Sequence, residues 1–259
     1  MNCKEVVSVL NERWNPSYAM DWDNVGLLVG RWEKEIKKIF VALDVTEENL
    51  KQAFDFGADL IVTHHPMIFS PMKKITTGDF MGKRIISMIQ KDLCYFAMHT
   101  NFDVKGMAML NEHALELLGA MPLQTTVVEE KEEGIGCIGM LSEKRSLAQL
   151  AQKVKVDFKV PDVRVYGDLS SKVTKVAVCG GSGKSTVKDA LKKKADVLVT
   201  GDIDYHTGID AMAQGLLVID AGHYGTEYCF IEYVTKELKE MFPEMEVLAA
   251  NISHPYQVL

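Results

Sequence analysis

The chain has 259 residues, 47% of them hydrophobic and 25% charged, with a formal net charge of −7 and five cysteines. That length holds one large or two smaller domains with a sizeable core, and no stretch approaches the roughly 18 apolar residues that a membrane helix needs. The acidic balance argues against general affinity for nucleic acid, and five scattered cysteines without a Cys-x-x-Cys pair suit a reducing cytoplasm.

Met1 to Leu10 lacks the apolar core and cleavage site of a signal peptide and reads as an amphipathic first helix. Asp23 and Asn24, between Trp22 and Gly26, read either as a turn or as lining of a site. Lys38 to Val41 is a short apolar strand. Thr46 then caps a helix carrying Leu50, Ala53 and Phe54, with Gly57 as its stop. Asp59-Leu-Ile-Val-Thr63 has the β-branched, apolar look of a fully buried strand, and it ends on His64, His65 and Pro66. A third strand, Leu93 to Ala97, runs into His99-Thr-Asn-Phe-Asp103.

Beyond a charged run from Glu129 to Glu133, Gly134 to Leu141 reads as a strand, and Ser146 with Gln149 as a capping box opening the helix of Leu147, Leu150 and Val154. Lys175 to Val178 is again an apolar strand. Val187, Ala190 and Leu191 supply the buried stripe of the next helix. Lys184, Lys188, Lys192, Lys193 and Lys194 lie on the same stretch and read as a solvated face. Asp196-Val-Leu-Val-Thr200 follows, and then Asp202, Asp204 and His206, which are either substrate contacts or loop-shaping residues. Leu216 to Ile219 runs into His223-Tyr-Gly-Thr-Glu227. Ile231, Val234, Leu238 and Met241 mark a last helix, stopped at Pro243, and Glu246 to Ala249 a last strand returning to the first half.

These elements form a duplicated unit. Asp59 to Thr63 has its twin in Asp196 to Thr200, an offset of 137 residues, and Lys38 to Val41 falls on Lys175 to Val178 at the same offset. Strand, helix and strand in short alternation imply a right-handed parallel crossover. The expected class is therefore α/β, with two similar interlocked lobes, residues 1–125 plus 226–259 and residues 126–225, and a site in the cleft between them.

Six side chains, His64, His65, His99, Asp103, His223 and Glu227, fall at the carboxyl ends of predicted strands, where open α/β sheets bind ligands. They exceed one ion's needs, since a single catalytic zinc takes three protein ligands, whereas two ions sharing a carboxylate use about this many. Nitrogen and oxygen donors without thiolate suit zinc, iron, manganese, cobalt or nickel. His99 is the candidate proton shuttle because an imidazole titrates near neutrality; the alternative is an orienting neighbour or weak ligand. Cys179-Gly-Gly-Ser-Gly-Lys-Ser185 ends like a phosphate loop, but Val178 stands where that motif needs glycine. Gly134 to Gly139 fits a dinucleotide pattern in letters only.

Trp22 to Leu27, Ala42 to Asp44, Val62 to Pro66, His99 to Asp103, Gly201 to His206 and Gly222 to Glu227 together resemble the NIF-three-like family, also labelled GTP cyclohydrolase I type-two homologues, over nearly the full length. The resemblance implies two divalent metal ions per chain held by His64, His65, Asp103, His223 and Glu227, with His99 close by. It also implies a ring-shaped homohexamer. The function it points to is a cytoplasmic, metal-dependent hydrolase of the cyclohydrolase, amidohydrolase or phosphoesterase kind, acting on a small molecule, nucleotide-like compounds included. The alternative is a non-catalytic, metal-binding regulatory or chaperone-like protein.

Overall fold

Asn2 opens the first helix, α1 (Cys3–Arg13), through a capping box with Glu5, and Cys3, Val6, Val7 and Leu10 form its buried face. The computed structural model describes residues 1–128 and 130–258. The chain divides into two compact units, one of Met1–Phe102 with Cys229–Ile252, the other of Asp103–Tyr228 with the residues from Ser253 onward.

In the first unit β1 (Gly26–Val29) is followed by β2 (Lys38–Ala42), α2 (Glu47–Phe56), β3 (Leu60–Thr63), α3 (Phe80–Gln90), β4 (Cys94–Ala97) and one helical turn, α4 (Thr100–Phe102). The chain returns to this unit with α10 (Cys229–Met241) and β11 (Glu246–Ala249). As expected, Thr46 accepts from Asn49 N at the start of α2, and Gly57 closes it in the left-handed conformation at φ 73°. The sheet order is β1-β4-β3-β2-β11, with β2, β3, β4 and β11 parallel and only β1 antiparallel, against β4. Leu60, Ile61 and Val62 are wholly buried, which is what helices on both faces of a parallel sheet demand. Phe40, Leu50, Ala53, Ile61, Met88 and Tyr95 pack one face.

The second unit opens on a π-helical turn, Asp103–Met107, which leads into α5 (Ala108–Leu115). Then come β5 (Leu118–Val128), β6 (Lys131–Ser146), α6 (Leu147–Asp157), β7 (Arg164–Tyr166), β8 (Lys172–Ser182), α7 (Val187–Lys192), β9 (Val197–Gly201), α8 (Tyr205–Ala213), β10 (Leu217–Asp220) and α9 (His223–Glu227). The sheet order is β5-β6-β8-β9-β10-β7, with β8, β9 and β10 parallel and the flanking strands antiparallel. Ser146 and Gln149 make the expected capping box on α6.

The duplication extends to single hydrogen bonds. Ile39 pairs with Leu60 in β2 and β3, and Val176 with Val197 in β8 and β9, each partner displaced by 137 residues. Asp59 accepts from the backbone N–H of Lys37 and Lys38 at 2.9 and 3.0 Å; Asp196 accepts from Thr174 and Lys175 at 2.7 and 2.8 Å. Each aspartate satisfies backbone donors at the head of a buried strand, a requirement of any such strand end. The twin letters are therefore twin structural jobs.

Two expectations shift. The charged run ahead of Gly134 is in part strand, because Lys131, Glu132 and Glu133 pair with Val128, Val127 and Thr126 in a hairpin; Glu129 lies outside the described residues. Hairpin pairing runs through the backbone, so a charged sequence can extend it. The lysine-rich helix shrinks to the six residues of α7, with Lys184 before it paired to Asp204 at 2.6 Å and Lys193 donating to the Pro122 carbonyl. All five cysteines are free thiols. Among the described residues no helix is long and apolar enough to cross a membrane.

Candidate metal centre

In the first unit the carboxyl ends of β2, β3 and β4 lie side by side, so Asp44, His64, His65 and His99 gather at one sheet edge although they are far apart in sequence. Just past β3, Thr63 Oγ1 donates to the His65 carbonyl at 2.9 Å. The hydroxyl of Tyr95 donates to the same carbonyl at 3.0 Å and accepts from Met67 N at 2.7 Å. The turn through Pro66 is thus pinned from the neighbouring strand. Burial pushes the Tyr95 hydroxyl up to about 12, so it stays a neutral donor.

His64 is fully buried, its ring 5.2 Å from Phe230 and 5.9 Å from Phe102. Its Nδ1 meets the Met98 carbonyl at 2.9 Å. His65 Nδ1 meets Asp44 Oδ1 at 2.8 Å, and His99 Nδ1 meets Asp23 Oδ1 at 2.9 Å. Carbonyl and carboxylate oxygens only accept, so Nδ1 is the protonated nitrogen in each ring and Nε2 carries the lone pair. His64, His65 and His99 each bring a ligand-capable atom within 4.8 Å of the others, a cluster that could hold a metal ion. Burial works to raise the carboxyl of Asp23, but hydrogen bonds from His99 and Thr100 outweigh it and hold it down at about 2. Asp23 is therefore a carboxylate at any ordinary pH, locked onto His99.

In the second unit Gly222, at φ 77°, turns the chain out of β10 into α9, which carries His223 and Glu227 one turn apart. His223 Nε2 lies 3.1 Å from Glu227 Oε2, as helical i,i+4 spacing predicts, and His223 Nδ1 meets Asp202 Oδ2 at 2.7 Å. A fourth imidazole is oriented like the other three. Asp103 opens the π-helical turn. Burial raises the Cys179 thiol, and the charges of Asp103 and Glu227 raise it further.

The glycine loop that ends like a phosphate-binding motif has a different task. A methyl group on Gly181, at φ 65°, would lie 2.2 Å from a Glu227 carboxylate oxygen and 3.2 Å from His223 Nε2, while one on Gly180 would meet Glu227 Cγ at 3.3 Å. Bare backbone there leaves room for the α9 donors. Gly183 packs onto Thr200, where a methyl would come within 1.9 Å of the hydroxyl.

The family model of Duf34/NIF3 (NGG1p interacting factor 3) matches residues 1–255. The chain belongs to the Duf34/NIF3 family. It is 36% identical over 244 residues to a "GTP cyclohydrolase 1 type 2 homolog" of Clostridium perfringens, covering 93% of this chain and 92% of the relative. To the protein of that description in Streptococcus pneumoniae it is 37% identical over 246 residues, covering 93% and 91%. The crystal structure of a Bacillus cereus protein related to NIF3 superposes with a TM-score of 0.93 at 28% identity, covering 100% of this chain and 99% of that one.

For a member of the Duf34/NIF3 family, the donors that sequence reasoning singled out are accompanied by partners it did not assign. Asp44 and Asp202 orient His65 and His223, and Asp23 orients His99. At the repeat offset Asp202 occupies the place of His65, as Gly181 occupies that of Asp44. Asp204 caps α8, accepting from Thr207 N at 2.9 Å, and Lys184 beside it holds its carboxyl below the usual range. His206 packs edge-on to the exposed Tyr205, 5.3 Å between ring centroids. Outer partners of this kind set the tautomer and basicity of a ligating imidazole and are typically worth 10–100-fold in metal affinity. Asp202→Asn keeps a residue tolerant of the left-handed conformation that Asp202 holds at φ 54°. If His223 ligates a metal ion, the substitution should weaken metal binding about tenfold in competition with a chromogenic chelator. Unchanged affinity would show that Asp202 does not tune His223.

Proposed function

We propose that the imidazole cluster of the first unit and the His223, Glu227 and Asp103 donors of the second belong to one dinuclear centre, and that the protein is a divalent-metal-dependent hydrolase of small molecules. In this reading His64, His65, Asp103, His223 and Glu227 hold the ions, which are zinc, iron, manganese, cobalt or nickel by donor chemistry. The observation that carries it is the uniform fixing of four imidazoles through Nδ1 by oxygen acceptors, the arrangement of ligating histidines. Chain continuity supports joining the two sets, since Asp103 follows His99 by four residues and the first unit resumes at Cys229, two residues after Glu227.

When bound, two such ions supply an acidified water and a Lewis acid for a carbonyl, imine or phosphoryl group. His99, held by Asp23, presents Nε2 to take a proton from the attacking nucleophile and return it to the leaving group. Asp23 fixes the ring and offsets the positive charge that His99 carries between those steps. The buried imidazole of His64 contributes a neutral donor, and the carboxylates of Asp103 and Glu227 offset the charge of the ions.

The cyclohydrolase naming of the relatives places nucleotides among the compounds to try. A second reading, metal-loaded but non-catalytic, rests on the family description, which names an interacting factor. The homohexamer and the cytoplasmic setting implied by the family resemblance belong to the same proposal. The test is elemental analysis of purified protein, followed by chelation, reloading and a screen of nucleotides, amides and phosphoesters. Two ions per chain and turnover that vanishes on chelation and returns with metal are expected. Turnover that persists with the metal removed would end the hydrolase reading, and full metal loading without turnover across the screen would favour the interaction protein.

A further inference from the structure

Two large aromatic side chains stand exposed beside the imidazole cluster. Trp22 is 59% exposed and Phe69 49%, their ring centroids 5.7 Å apart and their planes inclined by 46°. His99 lies 6.1 Å from the Trp22 ring and 6.5 Å from the Phe69 ring. Leaving so much apolar ring in water next to convergent polar donors is the composition of a small-molecule site, in which aromatic walls bind and a few polar groups orient.

The two rings are held in place by their sequence neighbours. Asp23, next to Trp22, accepts from His99 Nδ1 and from Thr100 N, each at 2.9 Å. Asn24 donates to the carbonyl of Ile68, the residue before Phe69, at 2.5 Å, which ties the Trp22 loop to the Phe69 loop. These bonds hold the backbone that carries each ring beside the other loop and beside His99. Phe80, equally exposed, has a different circumstance, with the Arg84 guanidinium lying 5.1 Å over its ring.

We propose that Trp22 and Phe69 are a stacking platform that selects substrates carrying a flat aromatic ring, heteroaromatic rings included, and holds that ring beside His99 and its neighbours. The inference rests on the hydrolase reading for the reaction that follows, but binding to the platform does not depend on turnover. Stacking suits flat rings because every such ring has a π-face that Trp22 can cover, and a saturated sugar or an alkyl chain has none. The platform adjoins the imidazole cluster, since the His99 ring, 6.1 Å from that of Trp22, itself lies 5.3 Å from His64 and 5.7 Å from His65 between centroids.

The test uses the full-length, metal-loaded protein, titrated calorimetrically with guanosine, pterin and ribose 5-phosphate. At least one of the two ring compounds should bind more than tenfold tighter than ribose 5-phosphate. Trp22→Leu should weaken that binding about tenfold, the size expected for one lost stacked ring, while Trp22→Phe should stay within about threefold. Metal content by elemental analysis should be unchanged in both variants, and Phe69→Leu, read in the same way, covers the case in which Trp22→Leu fails to fold. The proposal is overturned if neither ring compound outbinds ribose 5-phosphate, or if Trp22→Leu and Phe69→Leu bind the rings as wild type does. A change in oligomer size by light scattering at unchanged ring affinity overturns it too, and assigns the pair to a contact with a second copy. Ring binding without turnover would leave the platform standing and remove the hydrolase reading; metal-dependent turnover of ringless substrates would do the reverse.

Discussion

On the dinuclear reading proposed above, His65→Ala is expected to lower the metal content of the purified protein by at least one ion per chain, and to weaken metal binding more than about a hundredfold. Loss of an outer partner already costs 10–100-fold, and loss of the donor itself must exceed that. The position is suited to the test because the fold depends on it little. The His65 side chain is 21% exposed and its partner Asp44 45% exposed, so the carboxylate left behind is solvated rather than stranded. The backbone contributions of residue 65, its N–H to the Leu43 carbonyl and its carbonyl to Thr63 and Tyr95, survive the substitution. The melting temperature of the metal-free variant should lie within about 2–4 °C of the metal-free parent, the equivalent of about 1 kcal/mol in a chain of this size. His64→Ala would confound the two effects, because that fully buried ring packs on Phe102 and Phe230 and its removal leaves a core cavity. Undiminished metal binding in His65→Ala would remove His65 from the ligand set.

The parts of this molecule that were legible in the sequence are those written in local pattern. The runs Leu60 to Val62 and Val197 to Val199 are buried strands whose apolar letters admit little else, and Thr46, Gly57, Ser146 and Gln149 cap helices where their types predict. The offset of 137 residues, seen first as similar letters, returns as identical ladder register. His223 and Glu227 meet at helical spacing, which four residues of sequence already imply.

What was not legible is set by sheet order. Asp44 and His65, or Asp23 and His99, are partners only because strands that are neighbours in space bring their ends together, and no local period encodes that. The long hairpin of β5 and β6 was hidden for a related reason, since a ladder across charged residues lacks the alternation by which strands are read. Gly180 and Gly181 belong to the phosphate-loop lookalike that Val178 already discounts, but their actual task is not written in their letters. That task is to leave space for a neighbouring carboxylate and imidazole, which only the fold brings beside them.

That task yields the sharpest test of the second unit, Gly181→Ala. The substitution adds two separable costs. The first is conformational, because φ is 65° and a residue with a Cβ is strained there by roughly 1–2 kcal/mol. The second is steric, because the new methyl would sit 2.2 Å from Glu227 Oε1 and 3.2 Å from His223 Nε2. Glu227 can relieve the overlap by swinging its carboxylate, so the steric cost to the fold is modest, but the swing takes that carboxylate off His223 and out of the donor set. Gly57→Ala separates the two costs. Gly57 has a similar φ of 73° at the end of α2, and a methyl there meets nothing within 4 Å. Both variants should melt roughly 2–8 °C lower in the metal-free state, as about 1–2 kcal/mol of backbone strain predicts for a chain of this length. Only Gly181→Ala should lose metal, by at least about tenfold in affinity, since its effect on Glu227 is at least that of disturbing an outer partner. Equal metal binding in the two variants would mean that Glu227 does not need the space Gly181 leaves, and would take Glu227 out of the centre.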